Sequence, residues 1–199
     1  MTDAPSARDM KPLYLFHTGL QIIREPDIRY GRKNADFGQG FYLSDNEAFS
    51  KRWARERMGA SAYLNGYQLE LEGLKVKRFD RSVQWFDYIC ANRAYRPDSL
   101  AEYDVIIGPI ANDTIYDTWG VVTSGLLKRE QALQLLMIGP EYVQTVVKTD
   151  AAASALRFMG ALRLSAEEVS AYRETVRKEE AAFQLLFAQK LASFEPGAD

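Results

Sequence analysis

Short apolar runs, unevenly spaced, set the tightest limit on how this chain can fold. Residues 13–16 read LYLF, 41–43 FYL, 104–109 DVIIGP and 142–148 YVQTVVK. Each is too short for a stable helix and rich in β-branched or aromatic residues, so each predicts a strand. Residues 62–71 add a longer candidate with Tyr63, Tyr67, Leu69 and Leu71 on one parity, and 74–79 can extend the sheet. The helical segments between them are unequal. Ser82 can cap one carrying Val83, Phe86, Ile89 and Cys90 at helical spacing; others are expected around 114–119, around 127–137 and, briefly, after Thr149. Without a regular βαβα alternation a doubly wound parallel sheet is excluded, and the pattern reads as α+β.

Two capping boxes punctuate the chain. In Ser44-Asp45-Asn46-Glu47, Ser44 is expected to accept from the Glu47 N–H, starting a helix that continues through Phe49 and Trp53 and stops near Gly59. Ser165 and Glu168 form the second box. Beyond it Val169, Tyr172, Val176, Phe183, Leu186, Phe187 and Leu191 make one stripe. A continuous helix there would be ~40 Å long at 1.5 Å per residue. It either folds back on the core or serves as a platform for a partner chain. The expected organisation is a loose N-terminus over 1–12, a domain over 13–162 and a helical extension over 163–199.

Several chemistries are excluded. His17 is the only histidine and Cys90 the only cysteine, so a His-rich or thiolate metal centre and an internal disulfide are ruled out, and no metal is expected. No Gly-x-Ser-x-Gly elbow and no phosphate-loop motif is present, and Gly38-x-Gly40 lacks the third glycine of a dinucleotide fingerprint. A formal net charge of −2 argues against a general nucleic-acid binder, though not against a local basic patch. The N-terminus lacks a secretory layout and no run approaches a membrane span, so the expectation is a cytoplasmic protein without a membrane partner.

What remains is a set of unusual placements. His17 ends an apolar strand and is followed by Thr18 and Gly19. Phe41 and Tyr42 follow the glycine pair and, on a strand, must face opposite sides. A strand-end imidazole with one aromatic from a neighbouring strand would make a slot for a planar ring.

The stretches LYLFHTG, PDIRYGRKNADFGQGFYLS, FDYICANR, YDVIIGPIANDTIYDTW and VQTVVKTDAAASAL occur in this order over roughly residues 13–160. In them the chain resembles a bacterial domain family of unknown function grouped within the ADP-ribosyltransferase superfamily, known for a His-Tyr-Glu triad on three strands. The resemblance implies a split, mixed β-sheet core with surrounding helices and an NAD crevice between its halves. It implies an NAD-dependent mono-ADP-ribosyltransferase, a bacterial toxin or effector that could be delivered to a target cell, or an NAD glycohydrolase of the same build. His17, Tyr42 and Gln144 would be the catalytic set. His17 would bond a ribose, Thr18 and Gly19 would grip the nicotinamide amide, and Tyr42 beside Phe41 would stack on the ring. Gly38 and Gly40 would let the chain approach the cofactor closely, and Phe37 is a further cofactor-binding candidate. Arg24 and Arg32, with Arg29 and Lys33 as further candidates, would meet the pyrophosphate. Gln144 stands where the superfamily has Glu, so it can bond a hydroxyl but carries no charge; Glu141 and Asp113 are possible substitutes. The alternative is a binding module that has lost its chemistry. The acceptor would be an unknown protein or nucleic acid. An antitoxin, immunity or other partner protein could grip helix 165–194, and that helix could also support homo-oligomers. Arg93 and Asp104 are expected to form a structural ion pair.

Overall fold

The computed structural model describes residues 11–54, 61–111, 125 and 127–194. The expected helix at 114–119, Gly59 and Asp113 lie outside the described residues, but the helix expected to run through Trp53 towards Gly59 already ends at Lys51. Among the described residues seven strands form two sheets. β1 (Leu13–Gly19), β3 (Ala62–Leu69) and β7 (Leu156–Leu164) make an antiparallel sheet in the order β1-β3-β7. β2 (Phe41–Leu43), β6 (Val143–Val147), β5 (Val105–Pro109) and β4 (Val76–Arg78) make the other, in the order β2-β6-β5-β4. Its β4–β5 pair is parallel and the rest antiparallel, so the protein combines helices with a mixed sheet and an antiparallel one.

A β-bridge joins the two sheets. Phe16 N–H donates to Ser44 O at 2.8 Å, and Ser44 N–H returns a bond to Phe16 O at 3.0 Å. Ser44 is therefore part of the seam, and its hydroxyl donates to Val143 O at 2.9 Å. This is why it does not cap the following helix. Asn46 does so instead, accepting from Phe49 N–H at 2.9 Å, and α1 (Glu47–Lys51) is short.

α2 (Val83–Arg93) is capped by Ser82 as expected and lies under β5, where Trp85 Nε1–H donates to Pro109 O at 2.9 Å. α3 (Arg129–Leu136) and α4 (Asp150–Ser154, capped by Thr149) complete the shorter helices. β7 is a strand that no sequence pattern announced. The expected Arg93–Asp104 pair does not form: Arg93 turns to Asp36 at 2.6 Å, while Asp104 accepts from Lys75 N–H at 2.8 Å and Thr149 Oγ1 at 2.6 Å.

α5 (Ala166–Ala192) opens with the Ser165–Glu168 box and folds back over the core. Val169 packs with Leu64 and Leu164, while Phe183 and Phe187 join Trp85 and Leu135 beside the mixed sheet. The helix therefore straps both sheets. Leu186, expected in its buried stripe, is exposed beside Leu185. Arg52 holds the middle of the helix through a two-pronged pair with Glu179 at 2.5 and 2.9 Å. Among the described residues no helix is long and apolar enough to cross a membrane.

Candidate functional site

The seam between the sheets opens into a cavity of about 360 Å³. β1 contributes Phe16, His17 and Thr18; β2 and its end contribute Tyr42, Leu43 and Ser44; β6 contributes Gln144. Phe49, Ser50 and Trp53 wall one side, and Arg32, Ala35 and Asp36 come from the loop before β2. A second cavity of about 690 Å³ shares His17 and Tyr42 and adds the 21–25 loop, Asp27, Tyr30, Gly31, Gly40 and Phe41. His17 and Tyr42 therefore line both cavities.

His17 is oriented from the opposite sheet. Its Nδ1 lies 2.8 Å from Tyr42 O. A carbonyl only accepts, so Nδ1 carries the proton and the neutral ring keeps a bare Nε2. Burial lowers the imidazole pKa below its ordinary value, and the bond to the Tyr42 carbonyl offsets this only in part. Phe41 packs against the same imidazole, with ring centroids 4.5 Å apart. Asn65, fully buried opposite His17, accepts from Ile23 N–H at 2.9 Å and donates to Gln21 O at 3.1 Å, shaping the loop that lines the second cavity.

Tyr42 is locked at its far end. Its hydroxyl donates to Gly38 O at 2.7 Å and accepts from Phe37 N–H at 2.9 Å. Burial first, and the charge of Asp36 second, push the phenol pKa far up, so the hydroxyl stays protonated. Its ring is left as the group that lines the cavities. Tyr42 pairs with Val146 across the ladder, and Gln144 is two residues from Val146, so both side chains share one face of the mixed sheet.

Gln144 is 6% exposed, and its Nε2 points at Asp36 Oδ2 from 3.5 Å. Asp36, equally buried, is clamped through Oδ1 by Arg93 Nε at 2.9 Å and Nη2 at 2.6 Å. Asn92 Nδ2 donates to Asp36 O at 3.0 Å and fixes the loop itself. The sequence reading missed Asp36, Phe49 and Trp53 at this site. A helix carrying Phe49 and Trp53 on one face was visible, but its side against the seam was not.

The other residues expected to meet a ligand are placed unevenly around the two cavities. Phe37 is fully buried in the core and lines neither. Gly38 lines neither cavity; its φ of +76° bends the loop so that its carbonyl receives Tyr42. Gly40 does line the second cavity, yet its missing Cβ is required by packing, because one built there would stand 2.6 Å from Val147 O. Gly19 lines neither cavity and sits beside the imidazole edge. Thr18 lines the first, with its hydroxyl donating to Ser50 O at 2.6 Å. Arg32 lines the first cavity and Arg24 the second, the latter over the Phe158 ring. Arg29 is paired with Asp27 at the surface, and neither it nor Lys33 lines either cavity. Glu141 is exposed beside Arg81 and away from the first cavity.

Residues 13–158 match the family described as protein of unknown function (DUF3990). The chain belongs to this DUF3990 family. No curated protein and no solved structure matches it. The DUF3990 match begins at β1 and ends inside β7, so it contains every residue lining the two cavities. Within that DUF3990 span the arrangement offers a bare imidazole nitrogen to a hydroxyl donor, an aromatic face to a flat ring, a carboxamide beside a carboxylate, and a cation in each cavity. Among the described residues no cluster fit to hold a metal ion occurs.

Proposed function

We propose that this chain is an NAD⁺-dependent mono-ADP-ribosyltransferase, acting as a bacterial toxin or effector. The observation that carries the reading is the convergence of His17, Tyr42 and Gln144, from three strands and two sheets, on one cavity, with a second cavity that shares His17 and Tyr42. A dinucleotide has two ring-and-ribose lobes joined by a narrow pyrophosphate, and two adjoining cavities suit that shape. The nicotinamide lobe would occupy the cavity holding Gln144, with Tyr42 against the ring. His17 Nε2 would accept from a ribose hydroxyl, and Arg24 or Arg32 would face the pyrophosphate.

In the reaction the ribose C1′–nitrogen bond breaks and both electrons leave with nicotinamide, whose pyridinium becomes neutral. The positive charge is left on the ribose C1′ and ring oxygen. An acceptor heteroatom then donates a lone pair to C1′ and releases its proton. The acceptor would be a protein or nucleic-acid group; with water in its place the enzyme is an NAD glycohydrolase. Holding the reactants and stabilising the cationic ribose are the chain's contributions. Leu185 and Leu186, exposed on α5, offer an apolar contact to an antitoxin or other neutralising partner. The carboxamide of Gln144 favours one competing reading, a module that binds NAD⁺ or ADP-ribose without cleaving it.

The test is incubation with NAD⁺, assay of free nicotinamide, and intact-mass measurement of the protein and of candidate acceptors. Nicotinamide release with an ADP-ribose adduct supports transfer, and release alone supports hydrolysis. Binding without release leaves the module, and absence of both defeats the reading.

A further inference from the structure

A cationic ribose calls for a negative charge, and Gln144 has none. Among the described residues the first cavity nevertheless contains one carboxylate, Asp36, that is buried, lines the cavity and stands against Gln144. Its two oxygens are in different surroundings. Oδ1 receives Arg93 from the last turn of α2, where the helix dipole favours a cation. Oδ2 is turned to the Gln144 amide. Arg93 does not line the cavity, so the ion pair presents its negative end inward and its positive end to the helix behind. Arg32 is the other charged residue on this cavity among the described residues; it is a solvent-exposed cation, whereas Asp36 is 6% exposed. Low exposure weakens screening and lengthens the reach of the Asp36 charge.

The same contact sets the Gln144 rotamer. An ionised carboxylate has acceptors only, so the carboxamide must present its NH₂ to Asp36 and direct Oε1 elsewhere. At 3.5 Å this is an electrostatic preference more than a strong bond. It leaves Oε1 as the acceptor for a ribose hydroxyl.

We propose that Asp36 is the anionic positioning residue of this site, supplying the negative charge that Gln144 lacks and turning the Gln144 carboxamide so that Oε1 meets the ribose. The inference rests on the ADP-ribosyltransferase reading. It assigns the superfamily's single glutamate to two residues here: hydrogen bonding to Gln144 and charge to Asp36.

The experiment compares wild-type protein with Asp36→Asn and Asp36→Glu, by nicotinamide release, NAD⁺ titration calorimetry and NMR of the Gln144 side-chain amide. Asp36→Asn should lower kcat by about 100-fold, the size seen when one preorganised transition-state contact is lost. KM and the NAD⁺ Kd should stay within about threefold, because the charge matters after the bond starts to break. Asp36→Glu should recover part of kcat, and the Gln144 amide protons should shift in Asp36→Asn without any ligand. If Asp36→Asn fails to fold because Arg93 loses its carboxylate, the Asp36→Asn/Arg93→Gln double variant removes both charges and is read in the same assays. A wild-type enzyme that turns over while the folded variant keeps its full kcat overturns this inference and leaves the transferase reading standing. Unmoved Gln144 amide protons overturn the orienting role. A wild-type protein that neither binds nor cleaves NAD⁺ overturns both.

Discussion

The imidazole of His17 donates to the main-chain oxygen of Tyr42 across 2.8 Å, so a side chain of one sheet is oriented by the backbone of the other. Because the acceptor is a carbonyl, no substitution at residue 42 removes it. The ring is neutral, with its lowered pKa caused first by burial.

The first prediction concerns pH. Above pH ~6.5, the ordinary histidine value, His17 is neutral in folded and unfolded chains alike. As pH falls below that, the unfolded chain takes up a proton that the folded chain refuses until its own lower pKa is reached. Stability from this group therefore declines across that window as the solution is acidified. His17→Asn should flatten the decline, as measured by urea denaturation at pH 7.5 and 5.5. NAD⁺ affinity should hold below pH 6.5 and fall only when folded His17 protonates, since Nε2 must stay bare to accept a hydroxyl.

Gln144→Glu tests the environment of the third position. The substitution would set a second carboxylate about where the amide now stands, 3.5 Å from Asp36. Two carboxylates that close cannot both ionise easily, so one should hold a proton near neutral pH. A glutamate at this position should therefore not raise nicotinamide release at pH 7, and a loss of about tenfold is expected. A pH–rate series on both proteins would show it; a gain in the variant at pH 7 would contradict the account.

Lys148 anchors the loop that holds Tyr42. Its buried ammonium pairs with Asp98, donates to Phe37 O at 2.8 Å and reaches Tyr88 Oη at 3.1 Å. Lys148→Met leaves Asp98 and the Phe37 carbonyl without this donor. It should cost about 3 kcal/mol in urea denaturation, the range for breaking a buried ion pair. It should also raise KM for NAD⁺, because the Phe37–Gly38 turn that grips the Tyr42 hydroxyl loosens.

The long helix should behave as part of the core. Phe183→Ala and Phe187→Ala should each cost about 3–4 kcal/mol, as for other buried phenylalanines. Leu185→Ala, on the exposed face, should change stability by no more than about 0.5 kcal/mol. Thermal and urea melts of the three variants separate a packed helix from one that waits for a partner.

Strand candidates in the sequence correspond to β1 through β6 because each has a short β-branched or aromatic run of its own. β7 lacks that signature: Phe158-Met159-Gly160-Ala161-Leu162 has weak strand propensity, and most of its side chains are exposed or half-buried. Its conformation is imposed by pairing along the whole of β3, a tertiary cause invisible in local pattern. The start of α1 was misplaced because Ser44 found a carbonyl on β6, 99 positions away. The same kind of distance hid Asp36 and Arg93, which are 57 positions apart, while Arg93 and Asp104 seemed well matched only along the chain. His17, Tyr42 and Gln144 were singled out by resemblance and not by spacing, since nothing local says that three strands will share a cavity.

The Phe16–Ser44 bridge has a consequence for how this crevice can change. Its two hydrogen bonds run between peptide groups, and both residues also line the cavity. The join is thus written in the main chain, while the lining is written in side chains. New linings can be tried at these positions without unstitching the halves, so the fold can retune what it grips while keeping the gap in which it grips it.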